Sequence, residues 1–519
     1  MSGCLRMNRR GALPRSRGQT AALRRLRLRL TGAAVLLCLH GCAAPRPLRP
    51  VITTPLQTAW QGAPPQLKPT ASPPLQLAWW QVFHDPVLDR LMDIALARNL
   101  DLKLAQTRIA QARAQQRAAS ASLWPDFTVS GSDVFTRNPT LPEGFSQRTL
   151  DAALDGSWTV DLFGLQRDAR RAAIAATRAS QFDRDATEVT LLAEVATEYI
   201  QYRLYQLEYA ISTRNAASQE ETVRITQLRF QQGAASRLEV EQLRSQLAIT
   251  RAAVPAAFEQ AQTGRHTLIL LLASTPAELA RELPEEVPQN PVLPGADPAA
   301  VLLTPAQLIV QRPDIRAAAM RVTGAAESLR AAEAQRYPQL SLAAAFGQEA
   351  TNWTAFAGAG AQAWSYSEGL LLPVFDFGRI RAAIDLADAQ QQQAYLTFEQ
   401  TVRSALEATQ AAVVLYTQGM LRAEQLQTAL RSAQTAAQLA RRQYQEGALA
   451  LLDVLDAERT AYSTELTWAE ASAAVAVRLA TLYETLGVLP PPRAADCRDQ
   501  QAPGTGLVPA DCRMAQPVN

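Results

Sequence analysis

Histidine and cysteine are scarce in this chain of 519 residues, which has three and five of them respectively. His84 and His266 are far apart in sequence, and neither lies near a cluster of carboxylates or cysteines. The chain also lacks a glycine-rich phosphate loop and a strand-turn-helix serine motif. These absences indicate a protein that is not an enzyme and that has no metal site and no bound cofactor.

The N-terminal segment has the composition of an export signal. Its first 30 residues contain nine arginines and no acidic residue, and the apolar stretch 30–39 follows them. That stretch is shorter than the ~20 residues that span a bilayer, so it predicts a cleaved signal peptide over 1–41. Leu39-x-Gly41-Cys42 resembles the bacterial lipoprotein signal box, which implies diacylglycerol and an N-acyl chain on Cys42. An ordinary signal peptide with a chance cysteine is the alternative.

Removal of the predicted signal peptide changes the sign of the net charge. It takes away nine of the 51 basic residues and none of the 48 acidic ones, which leaves 42 basic residues against 48 acidic ones. Nucleic-acid binding requires a basic face, and no such cluster is present in the sequence. The mature chain is therefore predicted to have no nucleic-acid partner.

Proline-rich segments divide the rest of the chain. They predict a tether over 42–78, a linker over 284–303 and a C-terminal tail over 490–519. The tail contains Cys497 and Cys512. In an oxidising compartment these two cysteines predict a disulfide.

The two blocks between these segments, 79–283 and 304–489, repeat one another. The spacing from Asp101 to Pro125 equals that from Asp314 to Pro338. Further along, Phe163-Gly164 matches Phe377-Gly378, and Gly233 matches Gly447. An internal duplication of this length predicts two copies of one structural unit. Each copy is predicted to contain a helix, two strands, a very long helix, a turn and a further helix.

Long helices are predicted where glycine and proline are missing. Residues 166–231 contain neither, and 379–446 contain only Gly419. Each would be a helix of about 100 Å, far longer than the ~11 residues typical of globular proteins. Apolar residues recur every three or four positions, as at Phe398, Val402 and Ala405, which is typical of a coiled-coil seam. A helix over 86–122 is also predicted, with Asp85 as its N-cap.

Four strands are predicted, at 127–137, 150–162, 340–346 and 361–375. Their lengths suit tilted strands that cross a membrane, which need about 9–11 residues. The smallest membrane barrels have about eight strands, and open sheet edges are not tolerated in lipid. Several chains would therefore have to share one barrel. The alternative is a small soluble sheet that caps a helical bundle.

Residues 79–489 resemble the TolC/OprM family of outer-membrane efflux factors, in its NodT-type lipoprotein branch. The matching motifs are Trp79-Trp80, Phe83-x-Asp85-Pro86, Trp158-x-x-Asp161-Leu162-Phe163-Gly164, Tyr337-Pro338, Leu372-Pro373-Val374-Phe375-Asp376-x-Gly378-Arg379, Tyr444-x-x-Gly447 and Leu452-Asp453-Val454-Leu455-Asp456. The resemblance implies a mixed helix-and-strand membrane protein that forms a homotrimer. In such a trimer, twelve strands form an outer-membrane barrel and long helices form a periplasmic one.

The resemblance also implies a function and partners. Such a chain is a passive exit duct of a tripartite efflux pump for small molecules, and it works with a periplasmic adaptor and an inner-membrane transporter. Ala43, instead of an aspartate, follows the predicted lipidation site, which is consistent with sorting to outer-membrane lipid. The alternatives are a type I protein-secretion duct and a lipid-anchored coiled-coil scaffold without a pore.

The predicted periplasmic gate lies at the helix–helix turns around Gly233 and Gly447. The resemblance places Tyr444, Asp453 and Asp456 at the constriction, where three chains would form rings of carboxylates. Asp453 and Asp456 are three residues apart and share one helix face. The alternative is that they only add favourable negative charge to the first turns of a helix.

One position departs from the family pattern. Some relatives carry an arginine two residues after the glycine that corresponds to Gly447, whereas this chain has Leu449. A polar latch at the gate must then be built from other residues or be weaker. Arg237 and Glu239, in the turn of the first copy, are the candidates.

Overall fold

The structure, a computed structural model, describes residues 50–51, 60, 78–138, 145–288, 291–295 and 304–491. The predicted signal peptide and three predicted features of the termini lie outside these ranges. These features are the lipidation site Cys42 and the two cysteines of the tail, Cys497 and Cys512.

The described chain contains long helices and one small sheet. After a 3-10 turn at Trp79–Phe83, the helices are α1 (Pro86–Arg98), α2 (Leu100–Ala121), α3 (Leu165–Gln231), α4 (Arg237–Leu271), α5 (Pro276–Glu282), α6 (Pro305–Gln311), α7 (Pro313–Ala334), α8 (Trp353–Phe356), α9 (Arg379–Gln445) and α10 (Leu451–Leu486). The strands are β1 (Asp126–Asn138), β2 (Phe145–Val160), β3 (Gln339–Ala350) and β4 (Gln362–Leu371). Both halves run from a 22-residue helix through two strands to a 67-residue helix.

The first predicted helix is wrong in one respect, because it is two helices that meet at Asn99. This residue leaves the helical conformation, with φ −52° and ψ 137°. Its Oδ1 accepts hydrogen bonds from the backbone N–H groups of Asp101 and Leu102, at 2.8 and 3.1 Å. Its Nδ2 donates to the carbonyl of Leu271 at the end of α4, at 2.9 Å. The predicted cap at Asp85 is confirmed, since its Oδ1 accepts from the N–H of Val87 at 2.9 Å.

The helices pack along the predicted seams. Helix α3 packs against α2, α4, α7 and α10, and α9 packs against α7 and α10. Trp79, just before α1, stacks on Tyr483 near the end of α10, and their ring centroids lie 5.3 Å apart inside the main core. The buried seam residues of α9 are Phe398, Val402, Ala405, Thr409, Val413 and Tyr416. None of the described helices combines the length and the apolar character that crossing a membrane requires.

The four strands form a single antiparallel sheet in the order β1-β2-β3-β4. Strand β4 ends at Leu371 and not at residue 375 as predicted. Pro373 explains the difference, because proline has no N–H to donate to a strand ladder. The strand ends that connect to helices all lie at one end of the sheet, and the two strand–strand connections lie at the other.

Candidate functional site

One face of the sheet is mainly apolar and exposed in the single chain; its charged members are Asp133, which pairs with Arg148, and also Arg137 and Glu368. The register aligns Val129, Leu154, Phe346 and Trp364 in one row across all four strands. Each of these side chains is at least 48% exposed. The large exposed apolar side chains in other rows of this face are Phe127, Phe135, Tyr366 and Leu370. Isolated exposed apolar residues are ordinary in soluble proteins, but a contiguous apolar face marks an interaction surface.

The opposite face of the sheet is polar. Its described members include Thr128, Ser130, Ser132, Thr149, Asp151, Asp155, Ser157, Thr159, Ser341, Glu349, Ser365 and Ser367. Ser130 Oγ donates to Asp155 Oδ2 at 2.5 Å. Asp151 and Glu349 are directly opposed, and the described residues of this face include no lysine or arginine. Alternation between an apolar and a polar face is the pattern of a membrane strand with lipid on one side and a channel on the other.

Aspartates fix the turns from the sheet into the long helices. Gly164 and Gly378 precede α3 and α9 with φ of 93° and 87°, values that favour glycine. Asp161 Oδ1 accepts from the N–H of Gly164 at 2.9 Å. Asp376 Oδ2 accepts from the N–H of Ile380 at 2.8 Å, and this hydrogen bond lowers the pKa of Asp376. The family-like motifs at these positions therefore set the direction in which each long helix leaves the sheet.

The two helix–helix turns share one backbone geometry. Gly233 and Gly447 have φ of 77° and 80°. In each turn the glycine N–H and the next N–H bond back to the last helical turn, as for Ala234 to Arg229 and Ala448 to Gln443, both at 2.8 Å. This is a Schellman motif, in which a residue of positive φ ends the helix. The two turns thus reverse the chain in the same way.

The carboxylates predicted at the gate have different surroundings. Asp453 is exposed in the first turn of α10. Asp456 is also exposed, but its Oδ1 accepts from Arg459 Nη2 at 2.7 Å. Glu239 forms a capping box with Ser236 at the start of α4, and Arg237 beside it is exposed. Glu239 therefore has a structural role in its own helix, whereas the charge of Asp453 is directed to solvent.

Tyr444 is buried within the chain. Its side chain is 8% exposed and packs with Leu243, Leu451 and Val454, from α4 and α10. The Cζ atom of Arg229, near the end of α3, lies 4.8 Å from the centroid of the tyrosine ring. A guanidinium at this distance makes a cation–π contact. The structure thus joins Tyr444 to Arg229, a residue that the sequence did not single out.

A second pair that the sequence did not reveal joins α9 to α10. Arg441 donates from Nε and Nη2 to Oε1 of Glu458, at 2.9 and 2.6 Å. The Glu458 side chain is 5% exposed and that of Arg441 is 42% exposed. Among the described residues, no group of three or more histidine, cysteine, aspartate or glutamate side chains is placed to hold a metal ion.

Long paired helices, joined to an open sheet with one apolar and one polar face, define the subunit of an outer-membrane channel. The chain belongs to the Outer membrane efflux protein family, which it matches over residues 91–274 and 304–488. This membership confirms the prediction, made from the sequence, of an outer-membrane efflux channel.

Known proteins of this kind resemble the chain over most of their length. It is 31% identical to the pyoverdine export outer membrane protein OpmQ of Pseudomonas putida, over 87% of the chain and 95% of that protein. It is 27% identical to the probable outer membrane lipoprotein SilC of Salmonella typhimurium, over 89% and 98% respectively. The solved outer-membrane channel OprN superposes with a TM-score of 0.77 at 30% identity, over 85% of this chain and 99% of that one.

Proposed function

We propose that three copies of the chain close a shared twelve-stranded barrel in the outer membrane, as the exit duct of a tripartite efflux pump. The observation that carries this proposal is the open sheet, in which β1 and β4 lie at the edges. An edge in lipid would leave backbone N–H and C=O groups without partners, at a cost of several kcal/mol each. Pairing of β4 with β1 of the next copy removes both edges.

The two sheet faces support the orientation of this barrel. The apolar face, with Phe346 and Trp364, would contact lipid, and the acidic polar face would line the channel. The 67-residue helices, each about 100 Å long, would form the periplasmic wall. A periplasmic adaptor and an inner-membrane transporter would supply the small-molecule substrate, since the duct has no means of driving transport by itself.

We also propose a lipid on Cys42 and a disulfide between Cys497 and Cys512. The signal box supports the first, and the oxidising periplasm supports the second. The lipid would be an additional anchor in a protein that the barrel already holds in the outer membrane.

The proposed gate lies at the helix–helix turns. Asp453, exposed at the start of α10, would form a ring of three carboxylates in the trimer, and Asp456 would add a second ring that Arg459 partly neutralises. Arg229, in contact with the Tyr444 ring, would replace the latch that relatives with an arginine at the position of Leu449 possess. The aspartates would narrow the channel at the start of α10, and the contact between Arg229 and Tyr444 would link the ends of α3 and α9.

Planar-bilayer recording of the purified full-length protein tests the proposal. Native mass spectrometry should find a trimer, and the trimer should conduct ions with a preference for cations. Asp453→Ala combined with Asp456→Ala should raise conductance and lower cation selectivity, whereas Glu241→Gln, at an exposed carboxylate of α4, should change neither. A trimer that never conducts would favour the scaffold, and passage of an unfolded polypeptide would favour the secretion duct.

A further inference from the structure

A cavity of about 400 Å³ lies just above the two helix–helix turns, between α3 and the α9–α10 pair. Helix α3 forms one wall, and α9 with α10 forms the other. The lining residues are Ser218, Glu221, Thr222, Ile225, Thr226 and Arg229 from α3, with Arg441, Tyr444, Gln445 and Val454 opposite. Its volume falls within the ~300–1,000 Å³ of known small-molecule sites.

Thr226 gives this cavity an unused hydrogen-bonding group. The residue is fully buried, and its Oγ1 has no hydrogen-bond partner among the described residues. The hydroxyl of Thr222, one turn earlier, donates to the carbonyl of Ser218 at 3.1 Å. Buried hydroxyls without partners are rare, because each one costs about 1–3 kcal/mol of lost hydration. A ligand atom that accepts from Thr226 would recover that cost.

Arg229 gives the cavity a positive charge that is not neutralised. It lies one helical turn beyond Thr226, and no carboxylate among the described residues is paired with it. Its contact with the Tyr444 ring is not a hydrogen bond, so the N–H groups of its guanidinium are still able to donate. The other charged residues of the lining are paired, Arg441 with Glu458 and Glu221 with Arg224.

We infer that this cavity is a binding site for a small organic carboxylate. The carboxylate accepts from the N–H groups of Arg229, and a small movement of the wall brings the covered hydroxyl of Thr226 within its reach. The body of the ligand lies against Ile225, Tyr444 and Val454. A charged hydrogen bond to a fork-shaped donor is stronger than a neutral one, which favours an anion over an amide of the same shape.

Such a ligand would touch both walls of the cavity, and this has a consequence for the gate. A molecule that binds only when α3 lies against α9 and α10 stabilises that arrangement by mass action. Binding itself is a property of one chain, whereas this effect on the gate rests on the proposed channel function.

Calorimetric titration of the purified full-length protein with benzoate, and with benzamide as the uncharged analogue, tests the site. Benzoate should bind saturably, and benzamide should bind at least about tenfold more weakly. Arg229→Gln should weaken benzoate binding about tenfold or more, and Thr226→Val about threefold to tenfold. Arg244→Gln, at an exposed arginine of α4 outside the cavity, should leave it unchanged.

The absence of saturable benzoate binding, or equal binding by the wild type and the Arg229→Gln and Thr226→Val proteins, would overturn the site. If Arg229→Gln does not fold, Arg229→Lys replaces it, because lysine keeps the positive charge but lacks the forked pair of donors. The proposed site then requires that Arg229→Lys bind benzoate more weakly than the wild type. In bilayers, benzoate should lower the open fraction of the wild type and not of Arg229→Gln. Binding without this effect would retain the site and reject its link to the gate.

Discussion

Arg441 and Glu458 join α9 to α10 through two hydrogen bonds to a single carboxylate oxygen, at 2.9 and 2.6 Å. Because the Glu458 side chain is 5% exposed, its charge depends on the arginine for stabilisation. Arg441→Met should therefore destabilise the α9–α10 hairpin by about 1–3 kcal/mol, less than for a fully buried pair since Arg441 is 42% exposed. Hydrogen exchange of the two helices measures this loss.

The matched control for this pair is Arg459→Met, which removes an exposed pair with Asp456 and should cost under about 1 kcal/mol. Arg441→Met with Glu458→Met should be less destabilised than Arg441→Met alone, because no buried charge is then left unpaired. A double variant that is less stable than the single one would contradict this account of Glu458.

The contact between Arg229 and Tyr444 should hold the gate closed. Cation–π contacts contribute about 0.5–2 kcal/mol, so Arg229→Met should raise the open fraction severalfold in single-channel recordings. Tyr444→Leu should have a similar effect, and the double variant should add little to either single one, because all three lose the same contact. Arg224→Met, at an exposed arginine of α3 paired with Glu221, is the control. Fully additive effects would show that the two residues act separately.

Asp453 should contribute more to ion selectivity than Asp456, although the sequence gives no reason to rank them. Arg459 neutralises part of the charge of Asp456 and leaves Asp453 unaffected. Asp453→Asn should therefore lower the cation preference more than Asp456→Asn does, as measured by the reversal potential in a salt gradient. Arg459→Gln should raise the cation preference, because it removes the positive charge beside Asp456. Equal effects of the two aspartates would mean that the ion pair is absent in the assembled channel.

Features that depend on local sequence were predictable, and contacts between distant segments were not. The absence of glycine and proline over 166–231 predicts the bounds of α3 almost to the residue. The sequence Asp85-Pro86 likewise predicts that Asp85 is the N-cap of α1. The break at Asn99 was missed because its side chain donates to Leu271, in a helix 172 positions away in sequence. The predicted fourth strand is longer than β4 because the apolar run of the sequence continues past Pro373.

The candidate gate shows the same limit. Gly233 and Gly447 were visible from the sequence because each turn requires a residue with positive φ. Arg229 was not, because its partner Tyr444 lies in the other half of the chain and the repeat places a glutamine, Gln443, at the matching position. Duplication identifies the elements that are shared, but the contacts between the two halves are made by residues that differ.

Glu208 should make the stability of the chain depend on pH. Burial, and secondarily the charge of Glu470 on α10, raises the pKa of Glu208 from 4.5 to about 7. Because the folded chain holds the proton of Glu208 more tightly than the unfolded chain does, protonation of this carboxyl stabilises the fold. This stability is fully present below about pH 4.5 and is lost as the pH rises through about 7. The melting temperature of the wild type should therefore fall between about pH 5 and 8.5. Over the same pH range the melting temperature of Glu208→Gln should fall less. The melting temperature of Glu424→Gln, at an exposed site, should change as that of the wild type does. Identical pH profiles for Glu208→Gln and the wild type would contradict this assignment.

Gly347 should be required for the pairing of β2 with β3. A Cβ atom at this position would lie 2.1 Å from the carbonyl oxygen of Ala152 and 2.6 Å from Cα of Ala153. Both are backbone atoms, so the strand itself would have to shift, and overpacking of this kind costs about 1–3 kcal/mol or more. Gly347→Ala should therefore lower the yield of folded, membrane-inserted protein and its resistance to denaturant. Gly360→Ala is the control, because an added Cβ there meets no atom within 4 Å. If the two alanine variants insert equally well, the close approach of β2 and β3 does not depend on glycine.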